Sequence, residues 1–457
     1  MSRSTGIVVT LPIAAVAVVG LYALSQKRPA LTLTTACGTE SASGCAPESS
    51  RVDLVTPPFS NPTKITNPLF PATEIDQTIL LGNVDGHPLR VEYTLLPGTK
   101  TFEWNGQRVE TRIVQYVAFL DRRINEVALD WYAQGDDGAV WYFGEDVSDY
   151  RDGVVETTEG TWSAGKDGPP AMIMPAHPKA GDVYRVENIP GIVFEEITVK
   201  QVDVPIGTPQ GTVLGGMIGD QLHVDGSHSD KLFAPGYGEF STVRGGDIEA
   251  VSLAVPIDAR PGPVPPELES ILAGATDIFE TVRGENWGAV TATLQRMQAA
   301  WSAFRARGDV PRLLDVQMTR ALAALAGDGL SPAIQDRNAT GTRTATIDVG
   351  QGVLDLMLRH RPRAEIDLAR LELWARQVLV DAGSEDPGAT VIGDVVSLER
   401  IRDRVAHLLR PSDAAQLDAR LGELRTAAHE HDFVDATAAA ARLRALVPSL
   451  SAGLSAR

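Results

Sequence analysis

Two histidine pairs and one aromatic segment are the parts of this chain whose residue types and spacing suit chemistry. His223 and His228 lie close together, with Asp225 and Asp230 beside them, and His429 and His431 flank Glu430 and precede Asp432. Imidazole with carboxylate suits several transition metals, so a divalent metal is the cofactor these positions suggest. The same residues also fit a solvated turn and a capped helix end, where a protonated histidine is favoured. The aromatic segment reads Asp130-Trp131-Tyr132-Ala133-Gln134-Gly135-Asp136-Asp137-Gly138-Ala139-Val140-Trp141-Tyr142-Phe143-Gly144-Glu145. Folded back at Gly135–Gly138, it puts Trp131 with Trp141 on one face and Tyr132 with Tyr142 on the other, depending on register. Those rings form either a platform for an apolar or sugar-like ligand or a cross-strand aromatic core. Acidic residues crowd the same stretch: Asp136, Asp137, Glu145, Asp146, Asp149 and Asp152. Oxygen clusters suit calcium, but no D-x-D-x-D-G run closed by a glutamate occurs here.

Signatures of common catalytic sites are missing. The chain has no H-E-x-x-H, no E-x-x-H, no G-x-S-x-G, no G-x-x-x-x-G-K-[ST] and no C-x-x-C. Acidic residues (59) exceed lysine and arginine (41), for a formal charge of −18. A chain so negative lacks the basic footprint that nucleic acid requires. Two cysteines are too few for a disulfide scaffold or a cysteine-rich zinc module.

The elements that must position these residues fall into five stretches. Residues 1–25 contain the uncharged apolar run Gly6–Leu24, bounded by Arg3 and by Lys27 and Arg28. Such a run is long enough for a transmembrane anchor, and Ala23-Leu24-Ser25 also offers a signal-peptide cleavage site. Residues 26–58 have the composition of a flexible linker. Cys37 and Cys45 lie in it, and a local disulfide there would suit an oxidising compartment. Residues 59–255 read as an antiparallel β-meander, a curved sheet or barrel-like. Alternation over Arg90–Leu95 and the Asn105-Gly106 hairpin signal open the series, and strands are expected at 182–188, 192–204, 211–224, 231–234 and 246–255. Residues 256–266 carry five prolines, a stiff connector. Residues 267–450 read as a separate all-α helical bundle, with Pro311, Pro332, Pro362, Pro387 and Pro411 at or between helix starts. The class is α+β, multidomain. Glu285-Asn286-Trp287 and His431-Asp432-Phe433 resemble each other as helix junctions.

The β region resembles a group of uncharacterised bacterial exported proteins and lipoproteins. The likeness rests on Asn67-Pro68-Leu69-Phe70-Pro71, the Asp130–Glu145 segment, Met174-Pro175-Ala176-His177-Pro178 with Gly181-Asp182, and Phe233-Ala234-Pro235-Gly236-Tyr237-Gly238. It implies export and a β-rich envelope domain, and carries over no activity and no site residue. Unlike the lipoprotein members, this chain has Leu33-Thr34-Thr35-Ala36 before Cys37, which is not a lipobox.

The expected function is non-catalytic: a membrane-tethered or exported envelope protein that binds a small ligand or a protein partner outside the cytoplasm. Its expected contacts are the membrane, through Gly6–Leu24, and that ligand or partner, with no nucleic acid. The ligand-binding candidates are Trp131, Tyr132, Trp141 and Tyr142, and the metal candidates are His223, His228, His429 and His431. The alternatives are a metal-handling protein and a hydrolase with a non-standard site.

Overall fold

Asn105 and Gly106 both take positive φ, 50° and 74°. The chain reverses there between two long strands, because two left-handed residues match the twist of the strands they join. The structure is a computed structural model that describes residues 36–327, 334 and 337–455. The run Gly6–Leu24 lies outside the described residues, among which no helix is long and apolar enough to cross a membrane.

The strands are β1 (Gln77–Val84), β2 (His87–Trp104), β3 (Gln107–Leu120), β4 (Arg123–Gln134), β5 (Val140–Arg151), β6 (Val154–Thr157), β7 (Trp162–Ser163), β8 (Ala171–Met174), β9 (Val183–Ile189), β10 (Val193–Thr208), β11 (Gly211–His223), β12 (His228–Ala234), β13 (Gly238–Arg244) and β14 (Asp247–Val255). All pair antiparallel in one sheet of order β6-β5-β4-β3-β2-β1-β14-β13-β12-β11-β10-β9, with β7 and β8 on β5. The hydrogen-bonded path is open, ending at β6 and β9. The sheet is nonetheless strongly curled, since one buried cluster joins Tyr142 and Trp162 near one end to Tyr184, Ile197, Met217 and Phe233 near the other.

A separate helical region follows. Its helices among the described residues are α1 (Pro266–Thr281), α2 (Trp287–Arg305), α3 (Arg312–Ala326), α4 (Ala339–Met357), α5 (Arg363–Asp381), α6 (Pro387–Val405), α7 (Pro411–His429) and α8 (Phe433–Ser455). Pro266, Pro387 and Pro411 occupy first helical positions, where the missing N–H costs no intrahelical bond. The two similar junctions are built alike. Glu285 and His431 are left-handed, and the next residue caps a helix: Asn286 accepts from Ala289 N at 3.2 Å and Asp432 from Asp435 N at 2.9 Å.

The helices cover the convex face of the sheet. Part of the contact is apolar: Ile79, Leu253 and Val255 share a core with α1 to α4, and Phe119 stacks on Trp374 at 5.3 Å. The remainder is ionic. Arg90 of β2 donates to Asp355 of α4 at 2.6 and 2.9 Å and to Glu92 at 2.9 and 2.7 Å. Arg370 of α5 reaches Gln77 (2.8 Å), Asp367 (3.0 Å) and Asp355 (2.9 Å). Arg404 of α6 bonds Gln115 at 2.6 Å and also pairs with Glu92. Gly153, at the β5–β6 turn, meets α6 so closely that a Cβ would lie 2.0 Å from Ala389 O.

Two stretches read as linkers are packed. In residues 36–58, Cys37 and Cys45 form a disulfide. Arg51 is buried on Asp53 at 2.7 Å, Asp53 accepts from Arg185 N at 2.9 Å, and Ala46 N donates to Glu196 at 2.8 Å. These charge-assisted bonds to β9 and β10 fix a segment whose composition alone suggests freedom. In the proline-rich connector, Arg260 N donates to Arg359 O at 2.6 Å and Val264 is buried.

Glu92→Gln leaves Arg404 buried with its charge uncompensated. We expect a loss of about 3–5 kcal/mol, the usual cost of breaking a buried pair on one side. It would be measured as a lowered urea midpoint seen by both circular dichroism and tryptophan fluorescence.

Candidate functional site: an acid-lined interior

Register decides which side chains face the hollow of the curled sheet. On β4 and β5 the inward pairs are Glu126 with Asp149, Ala128 with Val147, Asp130 with Glu145 and Tyr132 with Tyr142. The alternation survives the middle of the hairpin because a bulge adds one residue to β5 there. Gly144 sits in it at φ 114°, where a Cβ would lie 2.2 Å from Trp162 O. Glycine at 144 therefore aims Glu145 inward, beside Asp130. Glu187 on β9, Glu195 on β10, Glu239 on β13 and Glu249 on β14 complete the wall, with Tyr93 and Tyr116 between them at a ring separation of 5.0 Å.

These carboxyls are surrounded by protein, yet Glu126, Glu145, Glu187 and Glu249 each keep part of their surface accessible. They are therefore not sealed into the core. Burial, then repulsion from Asp149, Asp130, Glu249 and Glu187, pushes the Glu126 carboxyl up to about 8. Burial raises Asp130 to about 7, against the Tyr142 hydroxyl, which donates to Asp130 Oδ1 at 2.7 Å. Glu187 rises to about 8 through burial and Glu195, although Trp162 Nε1 donates to it at 3.3 Å. Burial and Glu187 hold Glu145 well above its ordinary value, and a hydrogen bond links the two carboxyls. Burial and Glu239 lift Glu249 to about 7.

Among the described residues, the basic groups that act on this wall are His223 and Lys231. His223 Nδ1 lies 3.1 Å from Glu195, its Nε2 lies 2.9 Å from Ser229 Oγ, and Gln221 also bonds Glu195. Glu195 is consequently lowered despite its burial. Lys231 donates to Glu239 at 2.6 Å, as does Thr242. Phe70, Tyr93, Tyr132, Tyr237 and Glu239 border a cavity of about 120 Å³ on the same face. Tyr184 Oη is enclosed without a hydrogen-bond partner among the described residues.

The residues singled out in the sequence are distributed as follows. Tyr132 and Tyr142 pair across strands and stack at 4.9 Å, on the inner face. Trp131 and Trp141 lie on the opposite face and are buried; Trp131 packs on Phe102 at 5.5 Å, with Lys100 Nζ 3.0 Å from its ring centre. His223 faces inward. His228 pairs with Leu222, faces outward and bonds Asp220 at 2.8 Å. His429 ends α7, and the His431 ring meets Phe433 edge-on at 5.9 Å. Among the described residues, no three His, Cys, Asp or Glu side chains converge as a metal site requires. Of the acidic residues noted near the hairpin, Glu145 and Asp149 join the wall. Asp136 instead caps a loop by accepting from Ser60 N (2.8 Å) and Oγ (2.7 Å).

Sequence reading missed Glu126, Asp130, Glu187, Glu195, Glu239 and Glu249 as one group. A signal existed on β4 and β5: carboxyls four residues apart, Glu126 with Asp130 and Glu145 with Asp149, share a strand face. No protein-family model matches the chain, and no curated protein matches it.

Raised carboxyls bind protons more tightly in the folded than in the unfolded chain. Their contribution to stability is full below the ordinary carboxylate range and is lost as pH rises through the folded values of about 7 to about 8. The melting temperature should therefore fall between pH 6 and pH 9 at constant salt, both roughly set by that window. Tyr142→Phe removes the donor that favours ionised Asp130. Isotope-edited infrared titration should then find Asp130 ionising above the wild-type value.

Proposed function

We propose that the protein is a non-catalytic binding protein of the cell envelope, tethered or exported, that holds a small amine-bearing ligand inside its curled sheet. The observation that carries this reading is the inner wall, where Glu126, Asp130, Glu145, Glu187 and Glu249 stand with little opposite charge. A cationic ligand supplies that charge, and the tyrosine faces beside the carboxyls favour an organic cation further. The carboxyls are strung along several strands rather than gathered at a point. That spread fits an extended polyamine better than a metal ion. The Cys37–Cys45 disulfide supports an oxidising compartment, and the resemblance of the β region to exported proteins agrees with it.

Calorimetric titration of the full chain with spermidine tests the reading. Binding displaces protons from raised carboxyls, so affinity should climb with pH by up to about tenfold per unit for each carboxyl that must ionise. Glu187→Gln should weaken it several-fold. Absence of binding at alkaline pH, or binding indifferent to pH and to Glu187→Gln, would overturn the reading.

A further inference from the structure

The helical region contains the opposite anomaly, a buried arginine without an anion. Arg343 lies in α4, 9% exposed. Its guanidinium stacks on the buried ring of Phe279 from α1, 4.1 Å from the ring centre. Its Nε and Nη2 are enclosed and have no hydrogen-bond partner among the described residues. No carboxylate among the described residues pairs with it.

Neighbouring cations add to the imbalance. Arg376 and Arg444 approach the same ring at 5.3 and 5.6 Å. Both are already satisfied: Arg376 by Glu372 at 2.8 Å, Arg444 by Glu372 at 2.9 Å and Glu280 at 2.6 Å. Arg283, just past α1, is exposed and acts on Arg343 as a like charge. Burial, Arg283 and Arg444 together bring Arg343 down to about 10, still charged at neutral pH, with Glu280 opposing them. Phe279 therefore has three arginines around its ring, and the two glutamates at the junction are engaged by Arg376 and Arg444. An excess of positive charge at one buried point is unusual in a chain of net charge −18. A buried guanidinium without a counter-ion is strongly unfavourable, and its planar fork suits a tetrahedral oxyanion.

We propose that the junction of α1, α4 and α8 is a binding site for a phosphate-type oxyanion, held by Arg343, with Arg283 adding positive charge from the surface. The site is distinct from the acid-lined interior and does not rest on its function. The carboxylates at the junction orient Arg376 and Arg444, and leave Arg343 for the ligand.

The test is thermal unfolding of the full chain in millimolar inorganic phosphate against chloride at matched ionic strength, with glycerol phosphate as a second probe. The wild type should be stabilised by phosphate beyond chloride. A larger shift with glycerol phosphate assigns the site to a phosphate ester, and an equal shift assigns it to the free anion. Arg343→Met should weaken phosphate binding at least tenfold, about 1.4 kcal/mol. Without phosphate, that variant should be no less stable than wild type, because it removes an unpaired buried charge. Should Arg343→Met fail to fold, Arg283→Gln, on the surface, should still weaken phosphate binding several-fold. Equal melting in phosphate and chloride would overturn the proposal, as would an undiminished phosphate shift in the variant that folds.

Discussion

Glu92 is the centre of the ionic network that ties the helices to the sheet. It lies on the convex face of β2, 4% exposed, and receives Arg90 from its own strand and Arg404 from α6. Arg370 and Asp355 extend the pairing into α5 and α4. The two arginines nearest Glu92 outweigh its desolvation and keep its carboxyl well below the usual range. Such a network contributes modestly to stability compared with apolar packing, but it is costly to break on one side. It fixes where the helices sit on the sheet.

Glu126, on the concave face, sits in the opposite environment. Glu92 and Glu126 are both glutamates in the same sheet, on β2 and β4. One meets guanidinium groups and is held ionised; the other meets Asp149, Asp130 and Glu249 and is pushed up to about 8. A fold that balances its buried charges so closely on one side leaves them unbalanced on the other. The unbalanced carboxyls line a space that stays partly accessible. They cost stability as they ionise, and a bound cation would return it. That coupling is the physical basis of the ligand-binding reading.

Local features of the fold were legible in the sequence. Asn105-Gly106 gives a hairpin through its left-handed residues, Tyr132 meets Tyr142, and Pro387 and Pro411 open helices. Strands β1, β6, β7, β8 and β13 were not foreseen. In β1, Gln77-Thr78-Ile79-Leu80-Leu81 is buried on both sides and has no period of two. In β13, Gly238-Glu239-Phe240-Ser241 is interrupted by an irregularity that turns Glu239 inward. The acidic wall was illegible for a related reason. Alternation assigns the polar face of a strand to solvent, and here that face lines the interior. Nor does composition reveal that Arg404 meets Glu92 across 312 residues of sequence. The partner of a buried charge is set by topology, which local pattern does not encode.

The most direct test is infrared spectroscopy of the carboxylic-acid C=O stretch at neutral pH, before and after addition of spermidine. The account predicts protonated carboxyl bands in the empty protein, diminished in Glu126→Gln and Glu187→Gln and bleached when the amine binds. Fully ionised carboxylates at neutral pH, or bands unchanged by saturating amine, would contradict it.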